Sequence, residues 1–190
     1  KKIPRMKSFL VNNFTIELFN KFYFYFNKVF KNKKNDLVDI ENFFYPLDKI
    51  DKWNRMYGKK GFFQYQFIIP FKNWEKAYYE IKSSFKKFNV KSYLCVMKLM
   101  KNENKKLSFT LDGLNFAIDF KNCKNSMSLM NRLDKILIKY GGIIYLAKDS
   151  RVNEQNAKKL VKDYNFFQDF RKRNNLNKLF SSEQSKRINL

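Results

Sequence analysis

The amino-acid sequence predicts an α+β fold in which two helices lie on one face of an antiparallel sheet. Three observations support this prediction. Apolar side chains alternate with a period of two in several short runs. Between these runs, residues 72–88 and 126–140 carry apolar side chains at helical spacing. Gly141-Gly142 then ends the second helix. The resulting order, β-α-β-β-α-β over residues 61–147, is that of the ferredoxin-like arrangement, whose right-handed crossovers set both helices on one side of the sheet.

Each element of this core has its own signal in the sequence. The first strand is rich in aromatic and β-branched residues and ends at Pro70, which cannot donate to a strand ladder. The predicted strands are 62–69, 93–100, 107–110 continued by 115–120 across a break at Asp112-Gly113, and 143–146. The helix residues expected to face the core are Trp74, Ala77, Tyr78, Ile81, Phe85, Leu129, Leu133, Ile136 and Leu137.

The segments that flank this core are predicted to be mainly helical. Residues 13–30 have helical periodicity, with Asn13 or Thr15 as the cap, and the aromatic run 22–26 covers every side of that helix. Such a run is expected to be buried, to cover the open face of the sheet, or to meet a partner or a membrane surface. Residues 41–46 look extended, and 48–56 are expected to form a short helix. The tail has three predicted helices, at 154–163, 165–172 and 181–188.

We therefore expect three regions along the chain. Residues 1–60 form a helical lead-in and pocket-edge segment, 61–147 form the ferredoxin-like core, and 148–190 form a C-terminal helical segment. The length of 190 residues and the 44% hydrophobic content are enough for a folded core.

Charge is the most unusual feature of the composition. The formal net charge is +23, which fits an anionic partner such as nucleic acid, an acidic membrane surface or a phosphorylated substrate. The same charge also fits a compositional bias toward Lys and Asn spread over solvated faces. The basic residues are not gathered into an arginine block, and the signatures of RNA-binding domains are missing, so no nucleic-acid partner is expected.

Several kinds of chemistry are excluded by residue usage. The chain has no His and only two cysteines, Cys95 and Cys123, so it cannot hold a Ser-His-Asp triad, a Cys/His zinc site or a disulfide framework. We expect no metal site. Cys95 lies in an apolar run and is predicted to be a buried thiol. No run approaches the roughly 20 apolar residues of a membrane span, and no leader peptide is recognised.

Polar residues recur at alternate positions on two of the predicted strands. Gln64 and Gln66 point to one side of their strand, because strand side chains alternate. Asn115, Ala117 and Asp119 share a side of theirs, opposite to a core-facing aromatic set. Amides offer both donors and acceptors to sugar hydroxyls, although an exposed polar face would have the same spacing.

Four motifs extend this pattern along the chain. They are Phe44-Tyr45-Pro46-Leu47-Asp48, Trp53-Asn54-Arg55-Met56-Tyr57-Gly58, Phe63-Gln64-Tyr65-Gln66-Phe67 and Tyr145-Leu146-Ala147-Lys148-Asp149-Ser150-Arg151. Two further motifs, Lys98-Leu99 and Asn115-x-x-x-Asp119-Phe120, lie between the third and the fourth. Taken in chain order, the whole set resembles the decaprenylphosphoryl-ribose oxidase family. These are the oxidising subunits of decaprenylphosphoryl-ribose epimerases, within the vanillyl-alcohol-oxidase superfamily of FAD-linked sugar and sugar-lactone oxidases. The resemblance covers roughly residues 10–190.

The resemblance implies an FAD-dependent oxidoreductase that oxidises a sugar secondary hydroxyl to a ketone. It implies that this chain is the C-terminal substrate-domain portion, and that FAD is bound mainly by an N-terminal domain absent from the chain. Residues 148–190 are then expected to pack on that FAD-binding domain. The five glycines form no glycine-rich phosphate loop, which agrees with that expectation. The fragment alone is expected to be inactive.

The resemblance also assigns roles to residues. Lys148 is expected to be catalytic and, with Tyr145, to contact the cofactor. The substrate-binding residues are expected to be Tyr45, Tyr57, Gln64, Gln66, Lys98, Asn115 and Tyr145. Ala117 departs from the family, because its actinobacterial members carry Cys at that position.

Partners follow from the same resemblance. The implied substrate is an anionic lipid-linked sugar, and an NAD-dependent reductase would complete the epimerisation. Contact with a membrane surface is expected, with a location in the cytoplasm or at the periphery of the inner membrane. Two alternatives remain: an aldonolactone oxidase of arabinonolactone type in the same superfamily, and, in a different class, a ferredoxin-like RNA-binding module.

Overall fold

A computed structural model of the chain describes residues 12–30, 37, 39–45, 51–92, 94–106 and 108–190. The chain divides into two compact units. The N-terminal unit comprises Lys1–Phe62 with Lys91–Tyr93, and the sheet unit comprises Phe63–Val90 with Leu94–Leu190. The roles predicted for regions 1–60, 61–147 and 148–190 stay predictions.

The described elements follow one another in a simple order. The strands are β1 (Phe62–Pro70), β2 (Cys95–Met100), β3 (Gly113–Lys121) and β4 (Ile143–Ile144). The helices are α1 (Asn13–Phe30), α2 (Ile40–Phe44), α3 (Trp74–Lys87), α4 (Lys124–Tyr140), α5 (Glu154–Leu160), α6 (Tyr164–Arg173), α7 (Leu176–Leu179) and α8 (Glu183–Ile188). Short 3-10 helices occupy Trp53–Tyr57, Phe71–Asn73 and Leu146–Lys148.

The four strands form one sheet in the order β2-β3-β1-β4. β2 is antiparallel to β3, with Lys98 opposite Asn115, and β4 is antiparallel to β1, with Ile144 opposite Phe67. With α3 between β1 and β2, and α4 between β3 and β4, this is the predicted ferredoxin-like order, and the predicted α+β fold is confirmed.

The core of the sheet unit lies between the sheet and helices α3 and α4. Alternate residues of the two central strands enter it, as the period of a strand requires. A close approach of β1 and β3 depends on Gly113, because an added Cβ there would lie 2.1 Å from the carbonyl oxygen of Ile69. Buried core residues include Tyr65, Phe67, Ile69, Ala77, Ile81, Leu114, Phe116, Ile118, Phe120, Leu129, Leu133, Ile136 and Leu137.

The C-terminal helices add to this core. Ala157 and Leu160 of α5, Tyr164 of α6 and Ile188 of α8 are buried in it. The Tyr164 hydroxyl donates to the carbonyl oxygen of Ile188 at 2.5 Å, which satisfies a buried polar group. The tail is therefore part of the sheet unit and not a separate arm.

Two predictions for the sheet were wrong in detail. The third strand begins at Gly113, because the residues before it accept hydrogen bonds through their side chains and not through a strand ladder. The Asp112 carboxylate accepts from the backbone N–H of Asn102, and the Thr110 hydroxyl accepts from that of Glu103. Its predicted start at Leu107 lies outside the described residues. The fourth strand is short, because the chain turns after Tyr145 into a 3-10 helix.

Cys95 corrects a prediction about burial. It is exposed, and so are Met97 and Leu99 on the same side of β2. An apolar strand at the edge of a sheet need not lie under a helix, and sequence alone does not show which strand is at the edge. Desolvation nevertheless raises the pKa of the Cys95 thiol, with a further contribution from Asp119. The start of β2 predicted at Tyr93 lies outside the described residues.

The predicted and observed elements also differ in the N-terminal unit. Residues 40–44 are helical and not extended, with the backbone N–H of Tyr45 donating to Glu41 at 2.8 Å, and the acidic first turn favours this helix. α1 is confirmed, but Asn12 is its cap: its Oδ1 accepts from the N–H groups of Phe14 and Thr15. The predicted helix at 48–56 corresponds to Trp53–Tyr57, and positions 46–50 lie outside the described residues.

No described helix is long and apolar enough to cross a membrane. The expectation that α1 covers the open face of the sheet stays a prediction.

Candidate functional site

The face of the sheet opposite the helices carries a ladder of polar side chains. Gln64 Nε2 of β1 donates to Asp119 Oδ1 of β3 at 2.9 Å. Gln66 Nε2 donates to Asn115 Oδ1 at 3.3 Å. Asn115 and Asp119 are buried, whereas both glutamines are partly exposed. The alternation read from the sequence therefore does bring these side chains together.

The acceptors in this ladder determine how the amides are oriented. Asp119 Oδ1 accepts from Gln64 Nε2, so the Gln64 amide is oriented with its nitrogen toward Asp119. The Oε1 atom of Gln64 is then the end of the amide left for another donor. In the second pair, the bond to Asn115 Oδ1 leaves Gln66 Oε1 as an acceptor and Asn115 Nδ2 as a donor. The face thus offers acceptors and a donor at defined positions, as recognition of hydroxyl groups requires.

One row of side chains runs across the sheet, from β2 to the residue just after β4. Lys98 of β2 lies opposite Asn115, and Asn115 is bonded to Gln66. The backbone N–H of Tyr145 donates to the Gln66 carbonyl oxygen at 2.9 Å, which continues the pairing past the end of β4. Because Ile144 faces the core, alternation turns Tyr145 to the polar face. Lys98, Asn115, Gln66 and Tyr145 form this row, which we call the polar row.

A small cavity adjoins the Tyr145 end of the polar row. The Tyr145 ring stacks on Phe109, with the ring centroids 4.7 Å apart. The cavity is lined by Ser108, Phe109, Ile143, Ile144, Tyr145, Leu146, Val161 and Lys162. It combines an apolar wall with a lysine, which suits the apolar side of a ring carrying polar substituents.

Lys148 follows Tyr145 at the end of the 3-10 helix Leu146–Lys148 and is exposed. Within the part of the chain that the structure describes, its ammonium has neither an ion pair nor a hydrogen bond. The turn that carries it is nevertheless tightly held. Asp149 Oδ1 accepts from the backbone N–H groups of Arg151 and Val152, at 3.1 and 3.0 Å.

The last helix supplies further bonds to this turn. Gln184 Nε2 donates to the carbonyl oxygens of Leu146 and Asp149, at 2.7 and 3.1 Å. Arg187 pairs with Asp149 Oδ2 at 2.7 Å and also donates to the Val152 carbonyl oxygen. We call Gln184, Arg187 and Asp149 the turn clamp. It fixes the backbone of the turn on both sides of Lys148 and leaves the lysine side chain outside the network.

A buried ionic network lies beneath the turn. Arg151 forms a fork with Asp134 of α4, at 2.6 and 2.8 Å, and the Tyr65 hydroxyl donates to Asp134 Oδ1 at 2.5 Å. Burial, and secondly the Asp134 charge, raise the pKa of Tyr65 well above its ordinary value, so the hydroxyl remains a donor. The network joins the Lys148 turn to the core.

Tyr45 and Tyr57, the other two predicted substrate residues, lie in the N-terminal unit. Tyr45 is exposed directly after α2. Tyr57 is buried and stacks on Phe62, with centroids 4.3 Å apart. The structure therefore gathers Gln64, Gln66, Lys98, Asn115, Tyr145 and Lys148 within the sheet unit.

Sequence reasoning assigned no role to the residues that support these side chains. Asp119 had a usable signal, because it shares the alternation of Asn115. Asp134 also had one, since an acidic residue on an apolar helix face requires a buried partner. Gln184 and Arg187 had none: their partners lie 35 to 38 residues away in the chain. No group of acidic or Cys residues suited to a metal ion occurs among the described residues.

The fold and the site together define a class: α+β sheet domains with an amide-rich face next to a lysine-bearing turn. No family model matches the chain. Over 185 residues, which is 95% of the chain, it is 30% identical to decaprenylphosphoryl-beta-D-ribose oxidase of Mycolicibacterium smegmatis. The resemblance inferred from the motifs is thereby confirmed. The chain spans 39% of the length of that protein.

Proposed function

We propose that this chain is the substrate-binding part of an FAD-dependent oxidoreductase that converts a secondary hydroxyl of a lipid-linked phosphopentose to a ketone. The observation that carries the proposal is the polar row, in a chain 30% identical to an oxidase named for decaprenylphosphoryl-ribose. In this row, oriented amides on the two central strands lie between Lys98 of β2 and Tyr145 just after β4.

The amides would recognise the pentose hydroxyls. Gln64 and Gln66 each direct an Oε1 acceptor outward, and Asn115 directs its Nδ2 donor. Because their other ends are bonded within the sheet, these groups are oriented before a ligand arrives, which reduces the entropic cost of binding.

Lys98 would bind the phosphate of the substrate. It is exposed on the edge strand β2 and lies next to Asn115 in the row. An ammonium at this position attracts a phosphodiester, while a soluble lactone has no group that requires it. This observation favours a phosphorylated sugar over the aldonolactone alternative.

The residues present fit one part of FAD and not another. Lys148 suits the edge of the isoalloxazine ring, where reduction leaves negative charge that a fixed cation stabilises. A loop that could bind the FAD pyrophosphate is missing from the described part of the sheet unit, because the glycines of this unit have structural roles elsewhere. Gly113 and Gly142 are crowded by neighbouring strand or helix atoms, and Gly141 caps α4 in the left-handed conformation.

Bound FAD would supply the two-electron acceptor that takes a hydride from the carbinol carbon. The proposed task of this chain is to orient the hydroxyl. Tyr145 and Phe109 would form the apolar wall beside the sugar, and the turn clamp would keep Lys148 directed at the reacting groups.

The RNA-binding alternative receives no support from the sheet. RNA-binding modules of this topology stack bases on aromatic side chains of the central strands. Here the central strands present Gln64, Gln66, Asn115 and Asp119 on their open face. An NAD-dependent reductase remains the partner that the resemblance implies.

The test uses the intact protein with an artificial electron acceptor. We expect turnover of decaprenylphosphoryl-ribose, and not of arabinonolactone. Lys98→Ala should raise KM for the lipid-linked sugar about tenfold or more, with little change in kcat. The matched control is Lys101→Ala, an exposed lysine just after β2. Turnover of the lactone alone, or equal effects of the two substitutions, would overturn the proposal.

A further inference from the structure

α1 exposes an unusual number of large apolar side chains. Among its 18 residues, Ile16 is the buried one. The exposed apolar residues are Phe14, Leu18, Phe19, Phe22, Tyr23, Phe24, Tyr25, Phe26, Val29 and Phe30. Soluble proteins rarely leave so large a contiguous apolar surface in water unless it binds something.

These side chains are not distributed evenly around the helix. At about 100° per residue, nine of the ten fall within an arc of roughly 200°. The remaining arc carries the buried Ile16 and the polar residues Asn13, Glu17, Asn20, Lys21, Asn27 and Lys28. Phe24 is the exception, because it projects from the middle of the polar arc. α1 as a whole is therefore amphipathic, although its aromatic run 22–26 reaches every side.

The N-terminal unit holds α1 by its polar arc. Asn20 Nδ2 donates to the carbonyl oxygen of Ser92 at 3.0 Å. Glu17 pairs with Lys91 at 3.4 Å and with Lys21 at 3.1 Å, and these bonds lower the pKa of Glu17. A helix that packs on its own protein normally does so through its apolar face. Here the polar side is bonded to the unit, and the apolar arc is exposed.

The width of the apolar arc and the net charge of the chain together identify the kind of partner. A single helix partner covers a seam of about 100°, which is half of this arc, whereas a helix lying in the interfacial region of a bilayer buries its whole apolar face and leaves its polar face out. Two copies of a chain with net charge +23 repel each other, while an anionic bilayer attracts both the chain and the lysines beside the arc. Aromatic residues are also the ones that favour the headgroup region.

We propose that α1 is an interfacial membrane-docking helix, which lies in the plane of an anionic lipid surface with its apolar arc inserted. The helix does not span the bilayer. Lys21 and Lys28 lie together along one edge of the arc, where they would reach the level of the lipid headgroups. This docking does not depend on any redox activity, so its test is separate from that of the proposed function.

The chain provides a matched pair of positions for the test. Phe22, in the centre of the apolar arc, is 67% exposed, and Phe24, in the polar arc, is 61% exposed. The intact protein and its Phe22→Asn and Phe24→Asn variants are sedimented with vesicles of phosphatidylglycerol and phosphatidylcholine, or of phosphatidylcholine alone. Both positions are exposed, so both variants should keep the wild-type circular dichroism spectrum.

We expect binding to the anionic vesicles, with a partition coefficient that falls about tenfold in Phe22→Asn and less than twofold in Phe24→Asn. The added tryptophan of Phe22→Trp should be quenched by brominated lipid more strongly than that of Phe24→Trp. Equal losses in the two variants, or no vesicle binding by the wild type, would overturn the proposal. So would a dimer that Phe22→Asn dissociates, since the arc would then be a contact between copies.

Discussion

Lys148 depends on side chains from a distant part of the chain for its position. Asp149 bonds the backbone of the turn, and residues of α8 bond its carbonyl oxygens. The lysine side chain makes no hydrogen bond or ion pair with the described residues, so its truncation should leave this framework intact. Function and stability can therefore be separated at this residue.

Lys148→Ala in the intact protein should slow flavin reduction by about 10²–10³, the usual loss for one preorganised electrostatic contact. The melting temperature should stay within about 2 °C, because exposed substitutions without partners change stability little. Anaerobic stopped-flow absorbance measures the reduction rate, and Lys135→Ala, an exposed lysine on α4, is the control. Lys148→Arg should rescue poorly, since a planar guanidinium does not replace a compact ammonium. Near-wild-type reduction in Lys148→Ala would leave this residue as an ordinary surface lysine.

Glu80 gives a prediction about pH. Hydrogen bonds from Lys139 and then from the Tyr140 hydroxyl, at 2.5 and 2.6 Å, lower the pKa of Glu80, with Arg132 nearby. A carboxyl whose pKa is lower in the folded state stabilises the protein above its unfolded pKa of about 4.3, and loses that effect as pH falls through the folded value.

Glu80→Gln should therefore lower the free energy of unfolding at pH 7 and have a smaller effect at pH 3. Urea unfolding at the two pH values measures this. Asp169→Asn on α6 is the control, because Asp169 is exposed and forms no ion pair with the described residues. A difference between Glu80→Gln and the wild type that stays constant from pH 7 to 3 would contradict the assignment.

The face that a side chain occupies could be predicted from the sequence where one local rule was enough. Gln64, Gln66 and Asn115 share the polar face because strand side chains alternate, and no knowledge of the partner strands was needed. Their hydrogen-bond orientation was not predictable, since it depends on Asp119 of another strand. The predicted burial of Cys95 was wrong for a similar reason: an apolar run does not reveal whether its strand lies at the edge of the sheet.

At the scale of elements, α8 has more influence than its six residues suggest. It begins with a capping box, in which Ser182 and Ser185 exchange hydrogen bonds, and this stabilises a helix too short to persist alone. Its Gln184 and Arg187 reach the Lys148 turn, while Ile188 is buried in the core. The helix thus ties the turn to the rest of the unit.

Gln184→Ala should lower the free energy of unfolding by about 1–3 kcal/mol, because two carbonyl oxygens of the turn lose their donor. Urea unfolding of the chain measures the loss. Gln155→Ala, an exposed glutamine on α5, should change stability by less than about 0.5 kcal/mol. If both substitutions have the same small effect, the two bonds from Gln184 do not stabilise the turn.

Long periodic elements were predicted well, and short ones were not. α1, α3 and α4 match their predicted ranges to within about two residues, because each repeats its apolar spacing over several turns. α2 was mistaken for an extended segment, since five residues are too few to show a helical period. The start of β3 was set by side-chain bonds from Asp112 and Thr110, which a propensity rule does not include.

At the scale of the whole molecule, the order of elements was accessible from the sequence, but the division into units was not. Residues 91–93 belong to the N-terminal unit although the sheet unit surrounds them in the chain. Lys91 and Ser92 bond to α1 across more than 70 residues of sequence, and only the folded chain reveals such contacts.

The purified chain should not retain FAD through desalting. None of the described glycines of the sheet unit forms a phosphate loop, so the pyrophosphate lacks the backbone donors that it needs. Absorbance near the flavin bands, relative to protein, measures retention, and the intact protein is the positive control. A yellow chain with near-stoichiometric flavin would contradict this prediction.

The turn clamp has a consequence for how the protein is made. A ribosome adds about 5–20 residues each second, and the N-terminal parts of a chain fold first. Gln184 follows Asp149 by 35 residues, so the turn waits roughly 2–7 s after its own synthesis for the helix that fixes it. A chain that ends before α8 lacks Gln184 and Arg187, so its Lys148 turn would be held only by the bonds to Asp149. Completion of the lysine-bearing turn is thereby coupled to completion of translation through α8.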